Sequence, residues 1–211
     1  MQTIRPVFAL PILLAYHLAA AQGQDPGQGP GQGYYAQPNP IPGGFHNRMG
    51  RSSVGVSVGL GGLHDNGSGV TNCDNCRNGL AVEFEAHIGG MLNPQFALVL
   101  ETQLNARTVH SNIDDADTVL MQLTLLGGGQ FWITPQLWVK GGLGVAHLVA
   151  DDKYIVYDYG YGLAALAAVG FELLSARELA IDLQGRLIDG VYNGGSDHIT
   201  AATLGVGLNW F

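Results

Sequence analysis

From Arg51 to the end, apolar residues alternate with polar or small ones at a period of two. Successive side chains leave a β-strand on opposite sides, so this spacing predicts strands with one apolar face. Residues 53–60 set Val54, Val56, Val58 and Leu60 against Ser53, Gly55, Ser57 and Gly59. Residues 79–89 set Leu80, Val82, Phe84, Ala86 and Ile88 against Glu83, Glu85 and His87. The pattern recurs over 95–109, 118–133, 137–149, 160–173, 178–187 and 198–211, which makes eight strands.

The segments between them alternate in length. Short ones fall at 90–94, 134–136 and 174–177, and long ones at 61–78, 110–117, 150–159 and 189–197. Short turns at one end and longer loops at the other are the asymmetry of barrels that cross a membrane. Residues 51–211 are therefore expected to form an all-β fold, an eight-stranded antiparallel up-and-down transmembrane β-barrel with lipid outside. Several strands exceed the 9–11 residues that a tilted crossing needs, so they are expected to project beyond the bilayer. An even strand number puts both ends of the chain on one side, expected to be the periplasm.

Composition agrees. Hydrophobic residues make up 46% of the chain and charged ones only 12%, about half the share usual in soluble domains. The net charge of −8 argues against a nucleic-acid partner, because phosphate binding draws on Lys and Arg. Before the barrel, residues 1–21 carry Arg5, an apolar run and Ala19-Ala20-Ala21, the pattern of a secretory signal. Residues 22–50 are rich in Gly, Gln and Pro and cannot bury enough apolar surface to offset their ordering entropy. They are expected to be a disordered periplasmic leader.

The last strand ends on Trp210-Phe211. A terminal Phe resembles the ending of bacterial outer-membrane barrels, where it helps the assembly machinery recognise its substrate. Together with the signal pattern, the eight strands and the alternating connections, it makes 51–211 resemble the small outer-membrane barrel family of the OmpA transmembrane domain, OmpX and the opacity-type adhesins. The resemblance implies a Gram-negative outer-membrane location. It also implies lipid, lipopolysaccharide and the barrel-assembly machinery as partners, and external loops that bind a ligand of unknown identity. Two departures stand out: no C-terminal peptidoglycan-binding domain is expected after the barrel, and the Gly/Gln/Pro leader is not part of the family pattern. Within the last strand, Phe211 is out of phase with Leu204, Val206, Leu208 and Trp210. Either a late bulge restores the phase or the assembly signal is imperfect.

Nine charged or titratable residues should face inward: Glu83, Glu85, His87, Glu101, Arg107, Lys140, Glu172, Asp182 and Arg186. Eight strands leave an interior that side chains just fill, so a polar plug of acids against bases is expected rather than a conducting pathway, with a narrow pore for small solutes as the alternative. Cys73 and Cys76, with two residues between them, sit in the first long connection and suggest a small disulfide of an exported protein. Zinc would need more ligands, and a redox role would need a helix that this Asn/Asp/Gly stretch does not predict. The outer connections also hold Asp65, Asp74, Asp114, Asp115, Asp117, Asp151, Asp152, Asp158, Asp189 and Asp197, an acidic rim able to collect divalent cations. Catalysis is not expected. His110 and Ser111 are adjacent and would point to opposite faces of a strand, unlike the His and Ser of outer-membrane lipid A deacylases. No cofactor or resident metal is expected either.

Overall fold

A computed structural model describes residues 45–46, 48–65, 76–111, 116–152, 155–176, 178–192, 195 and 197–211. The expected signal segment, most of the expected leader, and Cys73 lie outside the described residues. Eight strands follow one another: β1 Ser52–Asp65, β2 Cys76–Asn93, β3 Phe96–Ser111, β4 Ala116–Trp132, β5 Leu137–Asp152, β6 Val156–Ser175, β7 Leu179–Tyr192 and β8 Asp197–Trp210. Each pairs antiparallel with its sequence neighbours, and β1 closes on β8 from Val54 opposite Trp210 to Asp65 opposite Ile199. The result is a closed barrel. Closure leaves no strand edge with unpaired backbone groups, which is what a sheet in lipid requires.

The period of two decides which residues face out. Val58 of β1, Phe84 of β2, Leu100 of β3, Leu125 of β4, Leu143 of β5, Leu163 of β6, Leu183 of β7 and Val206 of β8 are all exposed. So much apolar surface on one continuous face is stable against lipid and not against water. The inward positions between them carry Glu83, Glu85, Glu101, Gln103, Lys140, Asp182 and Arg186, all buried.

The strands run further than the alternation suggests. Strand reaches into both ends of the expected loops at 61–78, 110–117, 150–159 and 189–197, leaving connections of 66–75, 112–115, 153–155 and 193–196. Their outer ends stand in water, where both faces can be polar and the two-residue rhythm fades. Cys76 opens β2 opposite Ser111. The expected leader also ends sooner than residue 50. The amide of Gly50 donates to the Met91 carbonyl at 2.9 Å and that of Met91 to Arg51 at 2.9 Å, while Arg48 is 3% exposed inside the barrel mouth.

Candidate functional site in the lumen and at the outer rim

The lumen is filled in three layers. The middle one is ionic and draws on four strands. Glu83 and Glu85 come from β2, Glu101 and Gln103 from β3, Lys140 from β5 and Arg186 from β7. Lys140 Nζ lies 2.8 Å from Glu101 Oε2 and 4.0 Å from Glu85 Oε1. Arg186 Nε lies 3.1 Å from Glu83 Oε1, Arg186 Nη1 4.0 Å from Glu85 Oε2, and Arg186 Nη2 against Glu101 Oε1. The same guanidinium donates to Gln103 Oε1 at 2.9 and 3.1 Å and to Gln184 Oε1 at 3.3 Å. Thr203 adds a hydroxyl donor to Glu83. Charges out of water are tolerable when paired and hydrogen-bonded in this way.

His87 sits beside this cluster, with Nδ1 2.6 Å from Glu85 Oε1. Its ring occupies the space a side chain at Gly55 would take, since a Cβ there would lie 2.3 Å from His87 Cε1. Glu85, His87 and Glu101 bring ligand-type atoms within 4.8 Å of one another. Lys140 and Arg186 already lie on both oxygens of Glu101, however, so a divalent ion would have to displace cations from the carboxylates it needs. Asp182 is held apart from the cluster. It accepts from Asn209 Nδ2 at 2.8 Å and Trp138 Nε1 at 3.3 Å. Trp138 lies flat enough over Gly170 that a Cβ there would come within 2.2 Å of the ring.

The inner mouth is closed by a clasp that the sequence pattern does not reveal. Arg48 grips Glu172 of β6 with two hydrogen bonds of 3.0 and 3.1 Å and reaches the Ala176 carbonyl at 2.7 Å. Trp132 Nε1 donates to the same Glu172 at 2.7 Å. The Arg48 guanidinium lies 3.8 Å from the centroid of the Phe211 ring, which meets Trp132 edge to face at 6.1 Å. Phe211 therefore faces inward, as the uninterrupted alternation of β8 dictates. The pairing of β7 with β8 shows no register shift, so no bulge returns Phe211 to the lipid side. Trp210 remains outside and exposed.

The third layer is apolar. Leu63, Leu120, Leu148, Ile188 and Ile199 point inward at the outer end, each 2% exposed or less. Tyr192 joins them and receives a hydrogen bond from Gln122 Nε2 at 3.0 Å. Arg107 stands at this level and donates to the Leu63 carbonyl.

On the outward face of the same end stands a set of His–Asp pairs. His110 Nδ1 lies 2.8 Å from Asp117 across β3 and β4. His147 Nε2 lies 2.9 Å from Asp158 across β5 and β6, with its ring stacked on Tyr161 at 4.5 Å. His198 Nδ1 lies 3.6 Å from Asp189 across β7 and β8. The Gly160 amide and the His147 hydrogen bond hold the Asp158 carboxyl below the usual carboxylate range. Asp117, Asp158 and Asp189 belong to the acidic rim read from the sequence. Of the histidines opposite them, the sequence singles out His110 only as a catalytic candidate, although alternation alone puts all three on the outward face.

A closed antiparallel sheet, apolar outside and ionic within, defines an eight-stranded membrane β-barrel. Solved structures with this fold include Ail, the attachment invasion locus protein of Yersinia pestis, at 15% identity and TM-score 0.53, covering 77% of this chain and 99% of that one. Ail has also been solved in complex with the heparin analogue sucrose octasulfate. Neisserial surface protein A is similar at 12% identity and TM-score 0.50, covering 75% of this chain and 96% of that one. The chain thus has the fold of the small outer-membrane barrels. No protein-family model matches the sequence, and no curated protein does.

Proposed function

We propose that the protein is an integral outer-membrane barrel with a closed lumen, and that its work is done at its external surface, as a structural or adhesin-like surface-binding element. The observation that carries this reading is the filled interior. An ionic layer spans the barrel, an apolar layer lies above it, and the Arg48 clasp lies below. A water-filled path would need to pass all three. The reading includes export by the signal segment, both ends of the chain in the periplasm, handling by the barrel-assembly machinery through Trp210 and Phe211, and contact with lipopolysaccharide. It assigns the protein no catalytic reaction and no cofactor.

The surface chemistry restricts what could bind. The chain carries a net charge of −8, and Asp117, Asp158 and Asp189 stand exposed or half-exposed at the outer end. A polyanion such as the one bound by Ail is a poor fit for that rim without an intervening cation. The test is single-channel recording of purified protein in planar bilayers, with fractionation of cells as a control. The closed reading expects no steady conductance from protein recovered in the outer membrane. Steady, solute-permeable openings would replace it with the pore reading.

A further inference from the structure

Four of the seven histidines of the chain, His64, His110, His147 and His198, stand on the outward face, one in each outer hairpin. Three are paired with an aspartate on the neighbouring strand. His64 of β1 lies opposite Thr200, whose hydroxyl donates to Asp189 at 2.7 Å. The same face turns apolar below these residues, at Val145 and Leu143 in β5 and, past Thr200, at Ala202 and Leu204 in β8. From Ala202 to Trp210 a tilted strand rises about 20 Å, close to the height of the apolar band of such barrels. The histidines therefore ring the barrel just above its lipid-facing belt, where the phosphate-bearing headgroups of an outer leaflet would lie.

We propose that these His–Asp pairs are half-built sites for divalent ions of the zinc class, completed by phosphate oxygens of the surrounding lipid. The proposal rests on the outer-membrane reading above. Phosphate has no reason to approach this rim unaided, because the aspartates are exposed and anionic. A cation must stand between, and an imidazole nitrogen beside a carboxylate favours zinc-like ions over magnesium or calcium. Two ligands about 2.0–2.1 Å from a tetrahedral ion stand roughly 3.3 Å apart. The observed separations of 2.8, 2.9 and 3.6 Å bracket that value, so small rotations of exposed side chains suffice. The ligands are also oriented from behind, as metal ligands commonly are. Tyr161 stacks on His147, and Thr200 holds Asp189 Oδ1 while Oδ2 turns towards His198. The Gly160 amide fixes Asp158 through the same Oδ1 that faces His147, leaving Oδ2 for an ion. Two protein ligands leave two coordination positions, enough for a lipid phosphate or for water. Each ion would tie the barrel to its annular lipid.

The experiment is calorimetric titration of zinc chloride into the full chain in nanodiscs made with phosphorylated or with dephosphorylated lipid A. Zinc should bind about tenfold or more tightly in the phosphorylated discs. The H110N/H147N/H198N variant should lose that binding, and H87N should keep it, which separates the rim from the lumen group Glu85, His87 and Glu101. Equal binding by the triple variant, indifference to lipid phosphate, or equal binding of magnesium would each overturn the proposal. Loss of binding in H87N alone would overturn it too, by moving the site into the lumen. Cell fractionation of wild type runs alongside. Protein absent from the outer membrane would sink the functional reading, whereas correctly placed protein that fails to hold zinc would sink only this inference.

Discussion

Arg186 is the side chain on which the middle layer turns, and replacing it by Met tests the plug most directly. Met keeps much of the apolar stem and removes the charge. The change deletes contacts to Glu83, Glu85, Glu101 and Gln103 and leaves Lys140 as the cation nearest Glu101, at 2.8 Å. Stranding a buried carboxylate costs about 3–5 kcal/mol. Glu83 and Glu101 both lose a partner, so the loss should fall in that range for R186M. The double variant R186M/E83Q removes one charge of each sign and should lose less than the single variant does, the signature of coupled neighbours. Equilibrium urea unfolding in lipid vesicles, followed by tryptophan fluorescence, measures both. Trp138 is buried within the lumen and Lys140 lies 5.4 Å from its ring, so one of the three tryptophans reports directly on the layer being perturbed. A loss below about 1 kcal/mol for R186M, the size expected of a water-exposed ion pair, would refute the reasoning. It would mean that water reaches these carboxylates freely and that the lumen is not a sealed plug.

Other substitutions probe the remaining layers. R48A strips two hydrogen bonds from Glu172 and the cation from the Phe211 ring, and should destabilise by about 3 kcal/mol in the same unfolding assay, with W132F losing about 1 kcal/mol for its one bond to Glu172. G170A forces a Cβ into the Trp138 ring and should cost about 1–3 kcal/mol through overpacking, visible as a lower melting temperature. V58R places a charge on the outward face, where Val58 is 61% exposed between Phe84 and Val206; it should cost about 2–4 kcal/mol in a bilayer and far less in a water-accessible micelle. Thiol labelling of native, unreduced protein should fail at Cys73 and Cys76, and ready labelling of both would rule out the disulfide.

The strands and the inward charges were legible because lipid and lumen impose opposite demands on alternate residues. Val54, Val56 and Val58 against Ser53, Gly55 and Ser57 is a pattern that few other environments would select. Legibility failed where that contrast weakens. Asp151, Asp152, Tyr157 and Asp158 read as loop because a strand outside the membrane has water on both faces. Trp132 and Trp138 were hidden for the opposite reason, since each is an apolar side chain flanked by others at an inward position. Arg48 precedes the periodic region, where no alternation assigns its side chain to a face. The partners of Arg186 and Lys140 depend on strand register, which alternation alone leaves open.

The Arg48 clasp bears on how the barrel opens as well as on how it holds. Arg48 precedes β1, and Phe211 is the last residue after β8, so their contact exists only once the two ends of the chain have met across the seam. Arg51 adds to the join by donating to the Phe211 carbonyl at 3.2 Å. An interaction absent from the folding transition state slows unfolding and leaves the folding rate unchanged. The Arg48–Phe211 contact thus acts as a stop on the seam, and its loss is expected to shorten the lifetime of the closed barrel.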